Sequence, residues 1–187
     1  MAIRIKEESI NEIKERLATM QTDLNKIIYL ESALRETGFT FEMKRFIWKE
    51  LGELYAGRKM FEKAAKAYSN KAGVDVIIKD KIESYVSSAE FFSKGGKVDD
   101  ADEMFSRAMR EANSEQRNRI GLAKKNIYLV CAKNLEKKGK KATAMRFYEK
   151  LIKTDLEEVE KKEIKEKLLS TYKALGHFRE AKLLEGI

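Results

Sequence analysis

Apolar residues recur three and four positions apart along most of the chain, the spacing that brings them onto one face of an α-helix. Proline, which breaks helix interiors, does not occur among the 187 residues. No stretch has the convincing period-two alternation of a half-buried strand. The pattern therefore predicts an all-α protein with short turns. The predicted helices cover residues 8–36, 41–56, 59–72, 76–94, 98–112, 115–138, 140–153, 156–175 and 178–185.

Small polar residues and glycines mark the predicted helix ends. N-terminal caps are expected where a side-chain oxygen precedes a helical run, at Thr40, Asp75, Ser114 and Asp155. Asp155 and Glu158 have the spacing of a capping-box variant. Left-handed C-terminal caps, which favour glycine, are expected at Gly38, Gly57, Gly73, Gly95, Gly96, Gly139 and Gly176.

Four segments of the chain align on one another, which predicts an internal repeat. Equivalent positions are occupied by Gly52, Ala89, Ala132 and Leu169, so the successive separations are 37, 43 and 37 residues. The four aligned sets are Trp48, Leu51, Gly52, Tyr55, Phe61, Ala64 and Tyr68; Tyr85, Ser88, Ala89, Phe92, Gly96, Val98, Ala101, Phe105 and Ala108; Tyr128, Cys131, Ala132, Leu135, Gly139, Ala144, Tyr148 and Leu151; and Leu168, Leu169, Tyr172, Gly176, Phe178 and Ala181. Small residues let the two helices of a hairpin approach closely, and rings three or four residues away fill the space between hairpins. One hairpin cannot cover its apolar face alone, so the pattern predicts stacked hairpins.

This pattern resembles the tetratricopeptide repeat family over residues 41–187, most closely in the stretch 48–68. The chain lacks the family's usual proline after the second helix, and its period exceeds the family's roughly 34 residues. The resemblance implies an α-solenoid of antiparallel helical hairpins, wound as a right-handed superhelix and preceded here by a long N-terminal helix. The single domain expected over residues 1–187 divides into the N-terminal helix 8–36, repeat 1 at 41–73, repeat 2 at 76–112, repeat 3 at 115–153, and repeat 4 or C-terminal cap at 156–187.

The predicted N-terminal helix carries apolar side chains alternately three and four positions apart, which is the pattern of a heptad seam. The seam residues are Ile10, Ile13, Leu17, Met20, Leu24, Ile27 and Leu34. Ile28 and Leu30 widen the apolar face beyond a strict seam, which favours packing against the first hairpin. The alternatives are self-association of two chains into a homodimer and capture of a partner helix.

The family resemblance also implies a concave groove lined by the first helix of each hairpin. The residues carried over onto this groove are Phe46, Lys49, Glu53, Glu83, Val86, Glu90, Asn126, Leu129 and Lys133. Only Lys49 matches the family's basic and asparagine clamp for a peptide's terminal carboxylate, whereas Glu53, Val86 and Val130 stand at other clamp positions. Binding of a chaperone tail is therefore disfavoured. The apolar positions in this mixed groove suit an amphipathic helix or an extended peptide.

Positive charge is concentrated between Lys133 and Lys153, where eight bases and two acids supply +6 of the whole-chain formal charge of +8. The predicted basic patch consists of Lys137, Lys138, Lys140, Lys141, Arg146 and Lys150. Its possible roles are solubility, contact with an acidic protein, and contact with nucleic acid. Nucleic acid is the least favoured of the three because the patch has little arginine and few interleaved aromatic residues.

Residues suited to catalysis or metal binding are few. His177 is the one histidine and is predicted to lie in a turn or on the surface, while Cys131, the one cysteine, lies on a core face of its helix. No phosphate loop, dinucleotide fingerprint or nucleophile elbow occurs. No enzymatic activity, cofactor or metal is therefore predicted.

The remaining features predict a cytoplasmic protein without a membrane span. The chain has a single cysteine, no secretory-type N-terminus, and no run of roughly 18 uncharged apolar residues. The leading hypothesis is a non-enzymatic adaptor or scaffold whose concave groove binds a peptide or an amphipathic helix. The alternatives are a nucleic-acid-associated protein that uses residues 133–153 and a structural subunit that dimerises through the N-terminal helix.

Overall fold

A computed structural model describes residues 6–35 and 38–186 of the chain. Every regular element within these ranges is an α-helix, so the predicted all-α class is confirmed. The ten helices of the described residues are α1 (Ile10–Ala18), α2 (Asp23–Ala33), α3 (Phe41–Gly57), α4 (Phe61–Val74), α5 (Ile78–Lys94), α6 (Val98–Glu111), α7 (Ser114–Lys137), α8 (Lys141–Leu151), α9 (Glu158–Leu175) and α10 (Phe178–Glu185). From α3 onward, the ends agree with the predicted helices to within two residues. No helix in the described part of the chain has the length and hydropathy that a membrane crossing requires.

The prediction of one continuous helix over 8–36 is wrong, because two threonines divide this segment into α1 and α2. The Thr19 hydroxyl donates a hydrogen bond to the Arg16 carbonyl at 2.7 Å, which ends α1. The Thr22 hydroxyl accepts from the Asn25 N–H at 3.3 Å, which begins α2. Short polar side chains offer the backbone these alternative partners and so interrupt an apolar pattern that otherwise continues. Residue 36, the predicted end of the helix, lies outside the described residues.

One of the four predicted N-terminal caps is confirmed. The Thr40 hydroxyl accepts from the Met43 N–H at the start of α3. The other three are wrong, because neighbouring residues hold the capping position. The residues at the N-cap position are Ile77 for α5, Asn113 with its partner Gln116 for α7, and Glu157 with its partner Glu160 for α9.

The turn that joins the two helices of a hairpin is built four times in the same way. Each turn has one residue with a left-handed backbone conformation, namely Lys59, Gly96, Gly139 and Gly176. The following N–H donates to the carbonyl five residues earlier at 2.9 Å in all four turns: Met60 to Tyr55, Lys97 to Phe92, Lys140 to Leu135, and His177 to Tyr172. This bond is the mark of a Schellman helix end. The four turn positions are separated by 37, 43 and 37 residues, the spacing of the aligned segments.

The helices pack against near neighbours in the chain. Substantial contacts join each helix from α2 onward to the next, and also join α5 to α7 and α6 to α8. The short turns therefore connect four helical hairpins: α3 with α4, α5 with α6, α7 with α8, and α9 with α10.

The apolar interior forms two clusters. The N-terminal cluster contains buried residues of α1 to α4 such as Ile13, Leu30 and Ile47, and the C-terminal cluster extends from Ala65 to Ala181. Phe91 packs against both clusters. The small residues predicted to lie between helices are all buried: Gly52, Ala64, Ala89, Ala101, Ala132, Ala144 and Ala181.

Candidate functional site

The three groove residues predicted on α3 differ in their surroundings. Phe46 is half-buried and packs against the N-terminal cluster, and the Lys14 ammonium lies 5.4 Å from the centre of its ring. Lys49 and Glu53 are exposed and form an ion pair of 3.7 Å along the helix. The Lys14 side chain of α1 therefore lies over Phe46, and the polar pair is the more accessible part of this set.

The predicted residues on α5 and α7 lie on two helices that contact each other. On α5, Glu83 is exposed and Glu90 pairs with Lys94 at 2.6 Å. On α7, Asn126 is exposed and Lys133 pairs with Glu163 of α9 at 3.5 Å. The two apolar members, Val86 and Leu129, are partly buried against the C-terminal cluster.

A cleft of about 390 Å³ lies between the N-terminal halves of α5 and α7. Ile82 and Ile120, which are only 7% and 4% exposed, are its most buried lining residues. The other lining residues are polar or charged: Lys79, Glu83, Gln116 and Arg119. Of these six, sequence reasoning named only Glu83. Ile82 and Ile120 were missed because a buried isoleucine that lines a cleft has the same helical spacing as one in the core.

Two large apolar side chains of α7 are exposed beside the predicted groove residues. Leu122 is 56% exposed and Val130 is 57% exposed. They lie eight residues apart with Asn126 midway, so the three occupy one ridge of the helix. We call Leu122, Asn126 and Val130 the α7 ridge. Sequence reasoning placed Leu129 in the groove, but the neighbouring Val130 is the more accessible side chain.

The six residues of the predicted basic patch separate into two groups. Arg146 and Lys150 of α8 form ion pairs with α6, Arg146 with Asp99 at 2.5 Å and Lys150 with Asp102 at 2.9 Å. These two bases therefore hold neighbouring hairpins together. The other four bases are exposed at the turn between α7 and α8: Lys137, Lys138, Lys140 and Lys141.

Asp102 is the centre of this inter-hairpin pairing. Its carboxylate accepts hydrogen bonds from Lys150 at 2.9 Å and from Tyr128 at 3.3 Å, and it pairs with Lys124 at 2.5 Å. Burial alone would raise the pKa of the Asp102 carboxyl, but the hydrogen bonds from Lys124 and Lys150 outweigh burial and hold this pKa below its usual range.

The seven seam residues of the N-terminal segment are divided between α1, α2 and the residues that follow them. Ile13, Leu17 and Ile27 are buried in the N-terminal cluster. Ile10, Met20 and Leu34 are partly buried against it. Leu24 is the member that points to solvent, since it is half exposed.

The single cysteine and the single histidine have contrasting environments. Cys131 is buried, and burial raises the pKa of its thiol to about 11, so the thiol is protonated at neutral pH. His177 is exposed, and its Nδ1 lies 3.8 Å from a Glu180 oxygen. Within residues 6–35 and 38–186, no three His, Cys, Asp or Glu side chains are grouped as metal ligands would be.

No protein-family model, curated protein or solved structure matches this chain.

Proposed function

We propose that the four hairpins form a right-handed, tetratricopeptide-like α-solenoid. Three observations support this arrangement. The same Schellman turn recurs at the repeat spacing, the small residues of the repeat are buried, and the substantial helix contacts join near neighbours in the chain. Contacts confined to neighbours are the property that defines a solenoid.

We further propose that the protein is a non-enzymatic scaffold that binds a peptide or an amphipathic helix along α5 and α7. The observation that supports this function best is the cleft between these helices, with Ile82 and Ile120 as its most buried lining residues and charged residues around them. Peptide grooves combine apolar anchor points, which supply affinity, with polar groups at the rim, which fix orientation. Leu122 and Val130 add exposed apolar side chains along α7, and Leu122 also lines a separate cleft with Met109 and Thr154.

The charges around the cleft indicate what kind of segment would bind. Lys79 and Arg119 are basic and Glu83 is acidic, so no single sign of charge dominates the lining. A segment with apolar side chains on one face and both signs of charge at its edges complements this surface. The interaction should therefore depend only weakly on salt.

The test replaces exposed residues, because a charge at Phe46, Val86 or Leu129 would disturb the clusters against which they pack. Peptides are selected against the wild-type protein from a displayed random library, and their Kd is measured for Val130→Asp and Leu122→Asp. Each substitution should weaken binding by about tenfold or more, the usual effect of losing an apolar anchor.

Val159→Asp is the matched control, because Val159 is also a strongly exposed apolar residue but lies on α9. Its Kd should equal that of the wild type. Selected peptides that bind Val130→Asp and Leu122→Asp as tightly as the wild type would refute this surface as the binding site.

Homodimerisation through α1 and α2 stays a prediction. Its contact surface would have to use Leu24 and Ile28, the exposed apolar residues of α2.

A further inference from the structure

The connections between helices separate the two signs of charge. The connections within hairpins, 58–60, 95–97, 138–140 and 176–177, contain five bases and no aspartate or glutamate: Arg58, Lys59, Lys97, Lys138 and Lys140. The connections between hairpins, 75–77, 112–113 and 152–157, contain three acids and one base: Asp75, Asp155, Glu157 and Lys153. Basic residues are thus concentrated in the turns where the first helix of a hairpin ends and the second begins.

The first three of these basic turns lie side by side. A Cβ atom at Gly95 would be 3.6 Å from Phe61, the first residue after the first turn. A Cβ atom at Gly96 would be 3.3 Å from Thr143, near the start of the helix after the third turn. The second turn therefore contacts residues next to both of the others, and the three turns form one continuous edge.

Six bases of this edge are exposed, and we call them the basic turn edge: Arg58, Lys59, Lys137, Lys138, Lys140 and Lys141. None of the six has a carboxylate oxygen within 4.0 Å among the residues that the structure describes. At the second turn, by contrast, Lys97 pairs with Glu62 at 3.6 Å, and Lys94 at the end of α5 pairs with Glu90 at 2.6 Å. Within the described part of the chain, the six charges are therefore not neutralised by a neighbouring acid.

Lys59 is the one non-glycine residue among the four left-handed turn positions of the described chain. Its φ is 58°, a left-handed conformation. In the three equivalent turns this conformation is adopted by glycines, namely Gly96, Gly139 and Gly176. A lysine in this conformation is less favourable than a glycine. The first turn thus carries a base at a position where folding alone favours glycine, and such local strain is characteristic of functional positions.

We propose that the basic turn edge binds the phosphate backbone of nucleic acid without sequence preference. Five of its six bases are lysines, which act as point charges. The scarcity of arginine and of aromatic residues argues against specific reading of bases, but not against attraction to the phosphates alone. Their arrangement in two groups on either side of the second turn suits a long polyanion with continuous charge better than a compact ligand. Nucleic acid supplies such a charge line, with about one phosphate per 1.7 Å of duplex.

The binding experiment uses a fluorescein-labelled 20-base-pair duplex of random sequence, with anisotropy measured over a range of salt concentrations. The wild type should bind at 50 mM salt, and log K should fall with log salt by about 0.9 for each phosphate contacted. A wild-type protein that fails to bind at 50 mM salt would overturn the proposal.

The decisive variant is Arg58→Glu with Lys59→Glu, because this pair lies outside the lysine-rich turn of the third hairpin. Its control is Lys161→Glu with Lys162→Glu, two exposed adjacent bases on α9. Both changes reduce the formal charge by four, from +8 to +4. The turn variant should bind at least about tenfold more weakly than the wild type, and the control should lose much less. Equal losses in the two variants would mean that net charge alone drives binding, and the proposal would fail.

Three further measurements test the role of Lys59, distinguish nucleic acid from an acidic protein, and distinguish the basic turn edge from the α7 ridge. Lys59→Gly removes one base while relieving the left-handed backbone, so it should lower the affinity and the salt slope although the protein becomes no less stable. Unchanged affinity in Lys59→Gly would contradict the role of the first turn in binding. Competition by poly-glutamate as effective per charge as that of the duplex would assign the edge to an acidic protein instead. Val130→Asp, which tests the α7 ridge, should bind the duplex like the wild type. The peptide-binding proposal and the nucleic-acid proposal are therefore tested independently of each other.

Discussion

Gly52 is a position where the packing of a hairpin depends on the lack of a side chain. A Cβ atom at this position would be 2.6 Å from Cε2 of Tyr68, the ring on the opposite helix of the same hairpin. The Tyr68 ring cannot retreat freely, because it stacks on Phe91 with 5.4 Å between the ring centres. The close approach of α3 and α4 therefore depends on the absence of a side chain at residue 52.

Gly52→Ala should lower the free energy of unfolding by about 1–3 kcal/mol, because the added methyl group overpacks the contact with Tyr68. Gly73→Ala is the control, since Gly73 lies in α4 with no atom within 4 Å of an added Cβ. That change should raise the free energy of unfolding by up to about 1 kcal/mol, because alanine favours helix. Urea denaturation of both variants checks the opposite signs. Equal effects would contradict the packing role of Gly52.

The sequence predicts the burial of some single residues well and the exposure of others poorly. The repeat positions Ala64, Ala101 and Ala144 are buried as predicted, because small residues at a fixed spacing leave a strong pattern. Val130 stands at a clamp position of the family but is not among the residues carried over onto the groove, whereas its neighbour Leu129 is. Adjacent residues on a helix point about 100° apart, so an assignment that is one residue off selects a half-buried side chain instead of an exposed one.

At the scale of whole helices, periodicity located α3 to α10 closely but did not show the break between α1 and α2. The apolar spacing continues through this break, and the signal for it lies in Thr19 and Thr22, whose hydroxyl groups satisfy backbone groups locally. The basic patch shows the same limit for charges. Arg146 and Lys150 pair with Asp99 and Asp102, which are more than forty residues away in the sequence. Only packing of one hairpin on the next brings them together.

Asp102 should make the contact between α6, α7 and α8 sensitive to pH. Its pKa is lowered in the folded protein, so its ionised form adds stability that is fully present above the unfolded pKa of about 3.9. That stability is lost as the pH falls through the lower, folded pKa. Asp102→Asn should lower the free energy of unfolding at pH 7 by about 1.5–3 kcal/mol, the value of hydrogen bonds to a charged group.

The measurement is urea denaturation of the wild type and Asp102→Asn between pH 7 and pH 2.5. The difference between them should shrink below about pH 4, where the unfolded carboxyl takes up a proton. Asp100→Asn serves as the control, because Asp100 is exposed on the same helix. A difference that stays constant with pH would show that the Asp102 contribution is steric rather than electrostatic.

For the molecule as a whole, Phe91 is the point where the two apolar clusters meet. It stacks on Tyr68 and packs against both clusters. The one tryptophan, Trp48, packs against the N-terminal cluster, so its fluorescence reports on that cluster. Circular dichroism reports on all helices together.

Phe91→Ala should therefore weaken the coupling between the clusters as well as the stability of each. In the wild type, urea denaturation followed by Trp48 fluorescence and by circular dichroism should coincide, as expected for one cooperative unit. In Phe91→Ala the two curves should separate, with a loss of stability of up to about 3 kcal/mol, the lower end for Phe→Ala because the ring is partly exposed. Phe105→Ala, a deeply buried change within the C-terminal cluster alone, is the comparison. Phe105→Ala should lower the free energy of unfolding while its fluorescence and circular dichroism curves stay closer together than those of Phe91→Ala. If the two curves separate as far in Phe105→Ala as in Phe91→Ala, Phe91 has no special role in coupling the clusters.

The restriction of substantial contacts to helices one or two places apart has a consequence for biosynthesis. A chain with low contact order can begin to fold before it is complete. When α4 has left the ribosome, α1 to α3 and most partners of the N-terminal cluster have already emerged, and each later hairpin finds the preceding one in place. The nascent protein can thus cover its apolar surface stepwise and presents little of it to chaperones or to other nascent chains.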